Sequence, residues 1–415
     1  MSEKKNTGKK AVIAVIVIAL IVVIIALVAV ISGKSKKDGS KSATEAGSET
    51  MRSGQFDIDY AKQVTKLADY SGVAITVSND YEINDTAKQT YLTNVLQSYG
   101  ADAYKQVTDR DTVADGDYVK VDYTGYKDGK AFDGGSATDV MLDVTNNSQV
   151  GGSSFIDGFT KPIIGAKVGD KVKGDVTFPE DYGNDDLNGQ TVTFEYTVKG
   201  IYSADPVALA DMTDEQVNTV FGKAGVTTNA QLTTQIEKDL KQQLYSAEVD
   251  KIKSYMIENS TVEIPDEYLQ ARLNEYIASF TKENVKDGQT LKKYLKSNYN
   301  MTVDQATEKW KENLTDQIKT EFIFGLIAEK ENIKMDDDAF NSYVDYIVSA
   351  SNGQFSKASE VYKYFGSGHK DEGKTYLKNQ YLVNKAIDTV TEKANVTFED
   401  GSAAPDTSSS SADAE

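Results

Sequence analysis

The run Val121-Asp122-Tyr123-Thr124-Gly125-Tyr126-Lys127-Asp128-Gly129-Lys130-Ala131-Phe132-Asp133-Gly134 leaves this chain little choice of local fold. Apolar residues alternate along it with the period of a strand that buries one face. Asp128-Gly129 interrupts the alternation with residue types that tolerate positive φ, so the run predicts two antiparallel strands joined by a two-residue turn. An aromatic–acid pair, Phe132-Asp133, lies just beyond it. Across 111–202, turn signals recur roughly every eight to twelve residues, the spacing of a small antiparallel structure. The strands read as Tyr118–Tyr126, Thr138–Val144, Asp170–Phe178 and Thr191–Tyr202, with Phe155–Ala166 as a short helix or turn between them. A twisted antiparallel sheet wrapped on one short helix, an α+β arrangement, is the expected architecture.

Composition narrows the chemistry this sheet can support. There is no cysteine and one histidine, His369, set among Gly366, Gly368 and Lys370 in a segment that reads as loop. Thiol nucleophiles, cysteine-rich metal sites and histidine-dependent triads are thereby removed, and no cofactor or metal is expected. A formal charge of −19 argues against nucleic acid as a partner, because phosphates would be repelled.

Ala11 to Ile31 is an uncharged apolar run of 21 residues. As a helix it would span roughly 30 Å, the thickness of a bilayer's hydrocarbon core. A core helix would keep a polar face and this run has none. Val28-Ala29-Val30-Ile31-Ser32 is a poor small-x-small cleavage site, so an uncleaved anchor is expected rather than a signal peptide. Lysines flank both sides (Lys4, Lys5, Lys9 and Lys10; Lys34, Lys36, Lys37 and Lys41), so charge bias alone does not orient it. A short basic segment ahead of a large body favours residues 1–10 in the cytoplasm and the body outside the cell membrane, as a single-pass protein. Residues 32–55 then read as a flexible tether with a reach on the order of 25–30 Å, and 401–415, rich in Ser, Ala and Asp, as a disordered tail.

Residues 56–110 mix a short strand, Val73–Val77, with a helix over Asn84–Ala103 carrying Tyr91, Leu92, Val95, Leu96 and Tyr99 at helical spacing. They are expected to form a connector packed with the helical domain. From 203 to 400 the pattern is helical. Thr213-Asp-Glu-Gln216, Thr228-Asn-Ala-Gln231 and Thr302-Val-Asp-Gln305 satisfy the capping-box pattern. Pro265 marks a helix start, and apolar stripes run through Leu232–Leu244, Tyr268–Phe280, Trp310–Leu326, Phe340–Ile347 and Tyr376–Val390.

Together, Val121–Gly134, Phe155-Ile156-Asp157-Gly158-Phe159 and Phe178-Pro179-Glu180-Asp181-Tyr182-Gly183 resemble the FKBP family of peptidyl-prolyl isomerases, in the variant inserted in trigger factor. The likeness continues outside 111–202, over roughly 66–398. Ala68–Val77 looks like that family's connector, and Ala210–Glu215 through Phe221-Gly222 like its re-entry into the helical body. Val262–Leu269 and Ile327–Ile333 look like landmarks of its C-terminal chaperone domain. The resemblance implies an FKBP-like sheet inserted in a mostly α-helical trigger factor-like chaperone body, here preceded by one transmembrane helix. A ribosome-docking segment with a Gly-Phe-Arg-type loop is not found, so ribosome binding is not expected.

The same resemblance implies a cleft lined by Tyr123, Phe132, Phe155, Ile156, Phe159, Tyr182 and Phe194. Phe159 would form its floor, Asp133 would fix Tyr123 or bias the local field, and Tyr182 would stand at the rim. The Ile156 N–H would face the substrate carbonyl. An aromatic on a small sheet is core by default; it is the joint order and spacing that single these out. Thr145–Ser154 is longer than the family's loop and is expected to reshape or partly cover the cleft. The implied function is cis/trans isomerisation of Xaa-Pro bonds combined with holding of unfolded or newly exported polypeptides, with apolar clefts left partly exposed by the helices. Two alternatives stand beside it: a holdase whose FKBP fold is an inactive binding module, and a surface adhesin or scaffold.

Overall fold

The computed structural model describes residues 51–97, 103–286 and 288–407. They form two compact units: Ile83–Lys238, and the described residues up to Glu82 together with those from Asp239 onward. The apolar run 11–31, residues 1–10 and most of the tether lie outside the described residues. Among the described residues no helix is long and apolar enough to cross a membrane.

The first unit is built on a sheet in the order Tyr104–Gln106, Thr191–Pro206, Tyr118–Lys127, Lys130–Asp143 and Ser148–Gln149, with Lys171–Thr177 also paired to Thr191–Pro206. Every pairing is antiparallel. The predicted hairpin turn has both central residues at positive φ, Asp128 at 51° and Gly129 at 77°, the backbone whose twist matches the flanking strands. Its second strand starts at Lys130 rather than Thr138. The ladder pairs Tyr126 with Ala131 and Thr124 with Ser136, so Phe132–Gly135 bulge out opposite Gly125. That bulge breaks the alternation on which a sequence reading of the strand depends.

The face of the sheet carrying Val119, Val121, Leu142, Tyr196, Val198 and Ile201 closes over Phe159 and Ile163 in one core. The short helix expected within Phe155–Ala166 is a single 3-10 turn, Lys161–Ile163. Pro162 disfavours α conformation at the residue before it, and Gly158 (φ 82°) and Gly165 (φ 83°) bracket the turn with left-handed backbone. The helix expected over Asn84–Ala103 is described as Asp85–Leu96, opened by the Asn84 side chain accepting from the Ala87 N–H at 2.9 Å, with Leu92 and Leu96 buried. Asp214–Phe221 opens with the predicted capping box between Thr213 and Gln216.

In the second unit, Asp266–Asn284, Val303–Lys330, Asp337–Ala350, Ala358–Phe365 and Lys370–Glu392 are the principal helices. Val303–Lys330 opens with the Thr302–Gln305 capping box. Ile323, Phe324 and Ile327 pack with Tyr245, Val249, Ile252 and with Val383, Ile387 and Val390 in its largest core. Asn395–Phe398 pairs in parallel with Ala74–Val77, and Val64–Lys66 pairs with Thr261–Val262. Residues 56–82 thus belong to the helical unit, while Ile83–Leu96 and the stretch 203–238 fall in the unit of the sheet.

Both polar ends are shorter than expected. Within the tether, Arg52 pairs with Glu372 at 2.6 Å, and the Ser53 N–H and hydroxyl donate to Glu275 at 2.8 and 2.5 Å. Within the tail, the Ala404 N–H donates to Val396 O at 3.1 Å, and Thr407 Oγ1 donates to Glu248 at 2.6 Å. In each case local composition is polar, but carboxylates far away in sequence (Glu372, Glu275 and Glu248) satisfy it.

Candidate functional site

Tyr123 lies mid-strand in Tyr118–Lys127 and Phe194 on its neighbour, opposite Gly125. Phe159 sits at the end of the Phe155–Thr160 turn and is 2 % exposed. Its ring stacks on Phe155, with centroids 4.2 Å apart and planes at 14°. Tyr123 meets Phe159 at 5.0 Å, Phe194 at 6.0 Å and Phe155 at 6.2 Å, edge to face each time. Phe159 in turn meets Phe194 edge-on at 4.9 Å. Such arrangements put positive ring edges on negative ring faces, each adding about 0.5–1.5 kcal/mol beyond burial.

Phe132 extends the group outward, 5.9 Å from Phe194 and 6.1 Å from Phe178, and Phe178 meets Tyr182 at 4.5 Å. Room for the Phe132 ring comes from two glycines. A Cβ at Gly125 or at Gly135 would stand 2.6 Å from it, closer than carbon atoms approach. Tyr123, Phe132, Phe155 and Ile156 are half-buried and pack on the core beneath, whereas Tyr182 is 49 % exposed. The six predicted aromatics therefore form one connected set with Phe178, and Ile156 packs on the same core.

Of the two roles expected of Asp133, fixing Tyr123 is not seen. It lies exposed on the bulge next to Gly134, which is at φ 78°. Among the described residues no hydrogen bond joins it to the Tyr123 hydroxyl. The bulge that seats Phe132 against the glycines carries the next side chain out toward solvent.

The site is electrically quiet. Burial, with a smaller effect from Tyr182, pushes the Tyr123 hydroxyl above its ordinary value. Burial also pushes the Tyr196 hydroxyl up; this phenol donates to Phe159 O at 2.6 Å and fixes the floor residue's backbone. Both remain neutral at physiological pH. The Ile156 N–H donates to no protein acceptor among the described residues, so an apolar surface has one unspent donor at its edge.

Three residues of the site were not singled out from sequence. Phe178 lies within a quoted motif and bridges Phe132 to Tyr182, while Tyr196 alternates with Phe194 on one strand. The third, Asn147, belongs to the longer loop Thr145–Ser154. That loop is not a free flap: Leu142 pairs with Gln149, Asp143 with Ser148, and Ser148 with Ser154. Its tip, Gly151, lies so close to the Gln97 carbonyl that a Cβ there would stand 2.1 Å from the oxygen.

Residues 110–199 match the family described as FKBP-type peptidyl-prolyl cis-trans isomerase, and residues 227–392 match the bacterial trigger factor C-terminus. The chain is trigger factor-like, with an FKBP-type domain. It is 28 % identical over 328 residues to the trigger factor of Agathobacter rectalis, covering 78 % of this chain and 69 % of that one. It is 29 % identical over 276 residues to that of Clostridium botulinum strain Eklund 17B, covering 66 % and 62 %. With the trigger factor of Acetivibrio thermocellus it shares 26 % identity over 339 residues, covering 81 % and 74 %. A solved structure of the trigger factor chaperone aligns over 79 % of this chain and 72 % of that one, at 18 % identity and a TM-score of 0.41.

Proposed function

We propose that this trigger factor-like chain is a membrane-anchored folding factor that isomerises Xaa-Pro bonds and holds unfolded polypeptides outside the cell membrane. The observation that carries the isomerase reading is the ring set around Phe159, bordered by an Ile156 N–H with no protein acceptor. Rotation about an imide bond faces a barrier of about 18–20 kcal/mol because amide resonance is lost on the way. The twisted transition state is less polar than the planar amide, so an apolar, water-poor surface favours it over the ground state. The Ile156 N–H would hold the substrate carbonyl while the prolyl ring rests on Phe159, Tyr123 and Phe194. Phe132 and Tyr182 would close the sides. No nucleophile and no proton transfer is needed.

Holding is assigned to the helical unit. It contains a cavity of about 570 Å³ lined by Ile257, Leu314 and Tyr276 together with Asp250, Lys253, Arg272 and Glu321. The cleft expected to be apolar is therefore mixed, which suits backbone and side chains of unfolded segments alike. Anchoring rests on the uncharged run 11–31, and it makes chains emerging on the outer face, rather than ribosome-bound ones, the proposed clients.

Proline-limited refolding of a reporter protein tests the isomerase reading. The chain should speed the slow phase, and Phe132→Ala and Tyr123→Ala should lose that effect while still suppressing aggregation. Equal inactivity of all three would leave a holdase with an FKBP-fold binding module. Membrane fractionation with protease added from outside tests the location: protection of the body in intact cells would refute it.

A further inference from the structure

We propose that Asn147, in the extended loop before the aromatic turn, is the positioning residue that aims the Ile156 N–H at the substrate. The inference rests on the isomerase reading above and deepens it. Asn147 Nδ2 donates to Phe155 O at 3.1 Å and to Ile156 O at 2.9 Å, while Oδ1 accepts from the Thr160 N–H at 3.0 Å. Thr160 Oγ1, itself buried, stands 3.2 Å from Oδ1 and 3.1 Å from Val144 O. The Asn147 carbonyl also accepts from the Phe155 N–H at 2.9 Å.

This chemistry admits one orientation of the amide. Two carbonyls require the NH₂ group and a backbone N–H requires the oxygen, so a flipped amide would set oxygen against oxygen twice. Only a side chain with both donors and an acceptor spans the turn from inside. The position also sits at φ 50°, where Asn is among the few non-glycine residues that rest without much strain.

The effect on Ile156 follows from peptide planarity. Phe155 C=O and Ile156 N–H belong to one peptide unit, and no cis bond is present among the described residues. In a trans unit the two groups point in opposite directions. Binding the Phe155 carbonyl to Asn147 therefore turns the Ile156 N–H away from Asn147 and leaves it unspent. Holding Ile156 O and the Thr160 N–H as well removes the freedom of the next unit to swing back.

The test compares the full chain with Asn147→Gly, which keeps the left-handed backbone and deletes the clamp, and with Asn147→Asp, which keeps the shape and lacks the donors. kcat/KM for a short Xaa-Pro peptide should fall about tenfold in both variants, the factor one oriented hydrogen bond carries. The Ile156 amide resonance, shifted by peptide in the wild type, should stop responding while ring resonances of Tyr123 and Phe132 still do. A merely structural role would change unfolding and leave that split absent. Wild-type kcat/KM in Asn147→Gly, with an active wild type, would overturn this inference alone. An inactive wild type would overturn the isomerase reading and this inference with it.

Discussion

The ring cluster on the sheet and the aromatic cluster between the helices use the same residue types for opposite purposes. Around Phe159, phenyl and phenol rings pack on one another and on aliphatic side chains such as Val121, Ile163 and Val198 in one core. In the helical unit, Tyr268 and Tyr376 flank a guanidinium: Arg272 lies 5.8 and 5.4 Å from their ring centres and makes a forked pair with Glu321 at 2.8 and 3.1 Å. Burial works against the Arg272 charge, but Glu321 and the neighbouring phenols hold it well above its ordinary value. The first cluster is apolar surface that water does not claim, suited to a substrate. The second is a buried charge paired with a carboxylate, suited to fixing helices Asp266–Asn284 and Val303–Lys330 against each other. Aromatic content alone does not mark a site; what the rings are left to face does.

The contrast can be broken most forcefully at Arg272. Arg272→Met strands the Glu321 carboxylate in the interior and should destabilise the helical unit by about 3–5 kcal/mol. Adding Glu321→Leu should recover most of that loss, as seen in denaturant midpoints, while isomerase activity stays at the wild-type level. A large activity loss in the double variant would mean that the two regions are not separable.

Next in size is Phe132→Ala, which opens the side of the ring set without emptying its floor. We expect kcat/KM to drop about thirtyfold, the equivalent of roughly 2 kcal/mol of ring contact, with little change in the unfolding midpoint. Gly125→Ala sharpens the same point from below. Its Cβ would stand 2.6 Å from the Phe132 ring, so the ring must move, at a cost of about 1–2 kcal/mol in stability. Activity should fall with it although no aromatic has been removed; kinetics and thermal unfolding on one sample separate the two.

The smallest effect concerns pH. Burial pushes the Tyr123 and Tyr196 hydroxyls up and keeps both neutral, so kcat/KM should be flat between about pH 6 and 9. The helical unit should not be flat. Burial, reinforced by Asp406 and opposed by the Thr407 hydrogen bond, pushes the Glu248 carboxyl up to about 7 from its ordinary 4.5. A raised carboxyl favours the fold in its protonated form. Its contribution is complete below about pH 4.5 and is lost as pH rises through about 7. Glu248→Gln should therefore stabilise the protein at pH 8.5 by about 1 kcal/mol and remove this pH dependence from denaturant midpoints.

What the sequence conveyed about these regions was mostly what neighbouring residues decide. The Asp128-Gly129 turn and the Thr213–Gln216 and Thr302–Gln305 caps need only three or four residues to declare themselves, and they are present. The resemblance to the FKBP motifs, not strand alternation, singled out Tyr123, Phe132, Phe155, Ile156, Phe159, Tyr182 and Phe194, most of which lie outside regular strands. What escaped was set at long range or by a break in period. The Phe132–Gly135 bulge hid the first half of a strand and turned Asp133 outward. Ser53 and Arg52 read as tether because their partners, Glu275 and Glu372, lie 222 and 320 residues away. Asn147 read as loop because its function lies in carbonyls and an N–H, which have no side-chain signature.

The apolar ring set and its free Ile156 N–H are tested most directly by cis–trans exchange of an Xaa-Pro peptide, followed by NMR with a small amount of the full chain. Uncatalysed exchange takes tens to hundreds of seconds. The account requires exchange cross-peaks between cis and trans forms within about a second, together with a shift of the Ile156 amide. Peptide bound at Phe159 with its exchange rate unchanged would contradict it.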